Sequence, residues 1–408
     1  MSARPLVVTA GVVTAGVVAG CGSGPAKHTG ADAAQGWQEI VPTLTEVETV
    51  SVFVAGDGSY HTYRIPAVLE TRDGTLLAFA EGRVGAAADR RENDIVLRRS
   101  TDNGASWGPL QVVLEQGVHS LNDPTPLEVI QGPHAGRVYL LLRRVSCRQE
   151  VIGGSCEPIG DLPYAPLLTW SDDQGQTWSD PRDLTEVAHQ ASDAMGPGIG
   201  IQLIHPPYAG RLVFPMWGRD LNYALFSDDG GESWEAGEPA AVDAAGIPGN
   251  EAQIAELSDG RLWMNARHTS SEGELAVGLR KVATSADGGQ SWSDFVDDPQ
   301  LPDLQVMASP LTFSTERDDD RQRLLFSMPV DVFRSNGTVR LSYDDAGSWP
   351  VEKRIIEGYF QYNSLVRLDC HHVGSLYERG LVTEEILFAR FSLDWLTDGQ
   401  DTPSCEPG

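Results

Sequence analysis

Apolar runs in this chain are short, and glycine, proline or aspartate closes each of them within a few residues. Leu76-Leu-Ala-Phe-Ala, Arg137-Val-Tyr-Leu-Leu-Leu, Arg211-Leu-Val-Phe-Pro, Arg261-Leu-Trp-Met and Arg323-Leu-Leu-Phe-Ser have the length and side-chain types of buried strands. Asp94-Ile-Val-Leu-Arg-Arg and Asn222-Tyr-Ala-Leu-Phe alternate well enough to be half-buried strands. Just after several of these runs the same octet returns, Ser-x-Asp-x-Gly-x-x-Trp. Its copies are STDNGASW from Ser100, SDDQGQTW from Ser171, SDDGGESW from Ser227 and SADGGQSW from Ser285; a fifth, SYDDAGSW from Ser342, has Ala346 in place of glycine. Ser and Asp bond nearby backbone amides and Gly supplies a positive φ, so the octet predicts a folded hairpin turn whose Trp pins it to its own unit.

A spacing of about 55 to 70 residues is too long for a helical solenoid repeat and suits four-stranded β-units arranged radially. Adjacent units then pack face to face and need no separate cores. The 43 glycines and 25 prolines among 408 residues support an all-β chain. A formal charge of −28 argues against nucleic-acid binding, and any anion site must be a local concentration of positive charge.

Residues 1–20 read as a secretory signal, with an apolar stretch from Leu6 to Gly20 too short to span a bilayer. It ends Val18-Ala19-Gly20-Cys21, which resembles a bacterial lipobox, so Cys21 is the expected lipidation site and residues 21–45 a flexible tether. The expected location is therefore outside the cell, anchored through lipid at the surface or secreted. Four cysteines remain; proximity in sequence pairs Cys147 with Cys156 and Cys370 with Cys405. With no CxxC pair and no HExxH, a cysteine- or histidine-based zinc site is not expected.

Tyr63-Arg64-Ile65-Pro66, the arginines in Met264-Asn-Ala-Arg267 and Phe333-Arg334-Ser-Asn-Gly-Thr-Val-Arg, and the five octets together resemble the sialidase superfamily, whose Asp boxes the octets match. The resemblance runs from about Val50 to Leu396 and implies a six-bladed β-propeller of four-stranded antiparallel sheets over residues 46–408. It implies that Arg64, Arg267 and Arg334 hold the carboxylate of a sialic acid, with Glu378 orienting Arg64. A planar guanidinium suits a carboxylate where a lysine would not. Tyr362, in Gln361-Tyr-Asn-Ser-Leu, matches the nucleophile, and Glu251, in Asn250-Glu-Ala-Gln, its base. Asp89 is the expected acid/base on a loop that desolvates it and raises its pKa, with Asp94 the weaker candidate. Arg83 and Asp123 are expected to line the pocket, and the glycines of Met195-Gly-Pro-Gly-Ile-Gly-Ile-Gln to admit substrate to the backbone.

The implied function is an exo-α-sialidase acting as a monomer on sialylated glycans or free sialosides, retaining configuration, with no metal or organic cofactor. Three alternatives stay open: a propeller that binds sialic acid without cleaving it, an enzyme that transfers the sugar or forms an anhydro product, and a preference for a related nonulosonic acid.

Overall fold

The computed structural model describes residues 46–405 apart from 90, 149–157, 161–162, 219–220, 270–277, 316–319 and 332. The expected signal, the tether, Cys21 and Cys156 lie outside the described residues. Cys370 and Cys405 are bonded to one another, and Cys147 is disulfide-bonded.

The chain is all-β, its sheets standing in a propeller arrangement, and Leu393–Leu396 is the one α-helix among the described residues. The expected six-bladed array takes the form of six antiparallel sets of strands, two of which are joined, leaving five separate sheets. Thr62–Glu70, Leu76–Arg83, Asn93–Ser100 and Gln111–Leu114 form one antiparallel set; Ser120–Glu128, Val138–Val145, Tyr164–Ser171 and Arg182–Asp183 form the next. A single parallel pair, Asn93 with Ser120, fuses these two sets into one eight-stranded sheet. The cause is local: the Asn93 amide donates to the Ser120 hydroxyl at 3.1 Å and to the Asp89 carbonyl at 3.2 Å, drawing the strands together beneath the Asp89 loop.

With those two sets counted as the first and second, the third sheet centres on Leu212–Gly218 and Leu221–Ser227, the fourth runs from Gly249 to Asp303 and the fifth from Ser309 to Tyr359. The last consists of Asn363–Arg367, His372–Arg379 and Glu385–Ser392, completed by Glu48–Val54 from the opposite end of the chain. Apolar clusters lie between sheets: Val52, Phe53 and Phe388 of the last sheet pack with Tyr63, Val68 and Val96 of the first set.

All five octets fold alike. In the first, the Ser100 hydroxyl donates to Asp102 at 2.7 Å and accepts from the Gly104 amide at 2.9 Å, while Asp102 takes the Ser106 amide at 2.9 Å. The tryptophans do more than pin their own turns. Trp107 lies 5.3 Å from Phe388 of the last sheet, Trp178 5.8 Å from Phe79, and Trp234 5.9 Å from Tyr139, so each bridges to the preceding set of strands.

Candidate active site

Three strands that lead into the site break register, between Arg64 and Ala67, Asn122 and Thr125, and Gly249 and Ala252. A bulge bends a strand and re-aims its side chains. Arg64, Asp123 and Glu251 are carried at these breaks, and Ile65 and Asp123 hold φ of 57° and 59° there. A β-branched residue at positive φ is strained, and Ile65 is kept in place by its amide, which donates to Glu378 Oε1 at 2.8 Å.

A cleft of about 630 Å³ gathers side chains from all along the chain, from Arg64 to Leu381. Arg64, Arg83, Asp89, Asp123, Glu251, Arg267, Arg334 and Tyr362 all line it. Glu378 stands behind Arg64, fully buried, accepting from Arg64 Nε at 2.7 Å. Of the other expected groups, Asp94 does not line the cleft; it accepts from the Tyr60 hydroxyl at 2.8 Å, and burial pushes its carboxyl up to about 6. The glycine-rich loop does not line the cleft either: Gly200 gives way to Phe214 and Leu127, and Gly198 to the Gln253 side chain, so these glycines serve packing.

Tyr362 is the hub. Its hydroxyl donates to Glu251 Oε1 at 2.6 Å and accepts from Arg267 Nη1 at 3.1 Å, while Arg267 Nη1 also reaches Glu251 Oε2 at 3.0 Å. The guanidinium carbons of Arg64 and Arg334 each stand 5.6 Å from the centre of the Tyr362 ring. Burial, and next the Glu251 charge, hold the phenol well above its usual range, with Arg267 and Arg334 opposing. Arg334 donates to the Gln305 carbonyl at 2.6 Å and has no carboxylate partner among the described residues. Unlike Arg64 and Arg267, it meets the cleft with no carboxylate in contact among the described residues, and the charge of Asp89 acts on it from a distance.

Asp89 departs from expectation. Its side chain is 82% exposed and bonds Arg83 Nη1 at 2.8 Å. Partial burial pulls its carboxyl up, but Arg83, helped by Arg64 and Arg334, outweighs that and holds it below the usual carboxylate range. Arg83 in turn is almost wholly buried and gives Nε and Nη2 to Glu81 Oε2 at 2.9 and 2.7 Å. Asp123 shows the opposite shift: burial first, then the charges of Glu81 and Glu251, push its carboxyl up to about 7 against the pull of Arg143 at 3.2 Å.

Sequence reasoning did not single out Glu81, Arg143 or Trp217, which also line the cleft. The usable signal was positional. Glu81 and Arg143 each follow an apolar run directly, at the strand end that faces the cleft.

The chain matches the BNR repeat-like domain family over residues 74–373. It is 34% identical over 374 residues to a sialidase of Micromonospora viridifaciens, covering 87% of this chain and 55% of that protein's length. An exo-alpha-sialidase of Arthroderma benhamiae is 29% identical over 382 residues, covering 85% of this chain and 87% of its own. Among solved structures, the Hadza microbial sialidase Hz136 superposes with a TM-score of 0.71 at 28% identity, over 85% of this chain and 69% of that one. Fold, octets and relatives converge: the chain belongs to the BNR repeat-like domain family and groups within it with the sialidases, which are glycoside hydrolases.

Proposed function

We propose that this chain is an exo-α-sialidase that removes terminal α-ketosidic sialic acids from glycoconjugates by hydrolysis with retention. The observation that carries the reading is the Tyr362 hydroxyl, bonded to Glu251 at 2.6 Å and ringed by Arg64, Arg267 and Arg334. The anomeric carbon of a sialic acid bears a carboxylate, so an anionic nucleophile would approach it against charge repulsion. A phenol kept neutral until it attacks avoids that repulsion, and the raised Tyr362 pKa suits the role. The three guanidiniums bind the sugar's carboxylate bidentately and fix the ring over Tyr362.

As the Tyr362 oxygen bonds the anomeric carbon, its proton passes to Glu251 and the glycosidic bond breaks. Asp89 gives its proton to the departing oxygen. Asp89 then takes a proton from water, which attacks the same carbon and displaces Tyr362; the phenolate recovers its proton from Glu251. Atoms balance with water as the only co-reactant. Substrate over the cleft shields Asp89 and draws it away from Arg83, supplying the rise in pKa that the open site lacks.

Tyr362→Phe tests the reading: release of methylumbelliferone from its sialoside should fall by about 10²- to 10⁴-fold with the fold intact. A fluorosialyl fluoride should leave its fluorosialyl group on Tyr362 of the wild type as fluoride departs, and that group on any other residue would refute the nucleophile. Proton NMR of the first-formed product separates hydrolysis, transfer and anhydro formation, and sialoside binding without turnover would point to a lectin. We further propose export and lipid attachment at Cys21, on the apolar stretch and small residues that precede it. Cys21→Ser should then abolish palmitate labelling.

A further inference from the structure

Behind the cleft lies a further arginine-carboxylate pair to which the chemistry above gives no part. Arg280 and Asp303 come from neighbouring strands of the fourth sheet and are each 1% exposed, with Arg280 Nη1 3.3 Å from Asp303 Oδ1. Arg280 also gives Nε to Asn265 Oδ1 at 2.6 Å and Nη1 to the Val306 carbonyl at 2.7 Å, while Nη2 is buried without an acceptor among the described residues. A buried guanidinium with an unmet donor costs stability, so a residue of this kind is better explained by what it holds than by its own bonds.

What it holds is the segment Asp303 to Met307, which crosses beneath the cleft between the fourth and fifth sheets. Asp303 accepts from the Gln305 amide at 2.8 Å and from the His268 amide, next to Arg267. Gln305, at a φ of 54°, turns its carbonyl to Arg334 Nη2 at 2.6 Å. Leu304 lines the cleft, and Val306 and Met307 pack with Ile65 against the Tyr362 ring. One buried ion pair thus touches the supports of Arg267, Arg334 and Tyr362.

We infer that Arg280 is a positioning residue that clamps the Asp303–Met307 segment and so sets the geometry of Arg334 and Tyr362 for catalysis. The inference rests on the sialidase reading. A guanidinium reaches Asn265 and the Val306 carbonyl in two directions at once; a lysine keeps the charge opposite Asp303 but cannot span both.

The test compares wild type, Arg280→Met and Arg280→Lys by thermal unfolding, by kcat and KM on methylumbelliferyl sialoside, and by calorimetric binding of the unsaturated sialic acid analogue DANA. Arg280→Met, which leaves Asp303 uncompensated, should lose the most. Arg280→Lys should unfold near the wild-type temperature yet lose about 30-fold in kcat and about 10-fold in DANA affinity, the scale that a displacement of about 1 Å produces. Should Arg280→Met fail to fold, Arg280→Lys decides alone. A folded Arg280→Lys with wild-type kcat and DANA affinity overturns the inference and leaves the sialidase reading standing. A wild type that neither cleaves the sialoside nor binds DANA overturns both.

Discussion

At Tyr362 a phenol is kept protonated by burial and by Glu251, the carboxylate that accepts its proton in the proposed mechanism. Glu251→Gln therefore separates two effects: catalysis should fall by about 10²- to 10³-fold for want of a base, while the phenol, freed of the nearby negative charge, should titrate at lower pH. Carbon-13 tyrosine NMR reads the second effect, and an unchanged titration would deny the pairing. Arg83→Gln should raise the Asp89 pKa by removing the cation that depresses it. A general acid works only below its pKa, so the descending limb of kcat/KM against pH should move to higher pH. Asp123 bears on stability. The folded state raises its pKa to about 7, so it binds the proton more tightly than the unfolded chain does. Its contribution is full below the ordinary carboxylate range and drains away as pH rises to about 7. Denaturation from pH 4 to pH 8 should show that loss, with a flatter profile in Asp123→Asn. Arg64, Arg267, Arg334, Glu251 and Tyr362 were legible because they sit in short motifs with a chemical purpose, whereas Glu81, Arg143 and Trp217 sit in none. Arg280 was not legible, because a buried charge inside Gly278-Leu-Arg-Lys-Val-Ala-Thr-Ser has the alternation of an ordinary half-exposed strand.

Each octet is a unit of turn chemistry, and it was readable as one because its bonds span only two to four residues. Its tertiary role was hidden, since nothing in eight residues says which sheet a tryptophan will meet. The structure gives Gly104 two constraints, a φ of 77° and a backbone so near the Phe388 ring that an added Cβ would collide with it. Gly104→Ala should therefore cost about 3 kcal/mol, from overpacking and left-handed strain together. The fifth octet is the natural counter-experiment, because Ala346 holds a φ of 66° where the other copies have glycine. Ala346→Gly should raise stability by up to about 1 kcal/mol, and denaturant midpoints of the two variants should move in opposite directions. The five Asp-box carboxylates are structural: burial raises each a little, but bonds from the nearby Ser or Thr outweigh it and hold them below the usual range.

The repeat foretold a radial array of sheets, but neither the Asn93–Ser120 joint that fuses two of them nor the way the array closes was visible, since both depend on pairs formed in space. Closure falls to Glu48–Val54, which pairs along Glu385–Ser392, with Ser51 bonding Glu385 across 334 positions of sequence. Deleting that strand should expose the edge at Glu385–Ser392 and the ring of Phe388, lower the unfolding temperature and promote dimers or aggregates by light scattering. On a ribosome the strand that seals the ring emerges before the other strands of the ring and must wait for the last of them. Through most of synthesis it is a lone apolar ribbon with no mate, so its correct partner competes with every other open edge nearby. Linking the segment that follows Ser392 to Glu48 and opening the chain at an outer turn would place that strand downstream of its mate, and such a permuted protein should refold faster while keeping the same cleft.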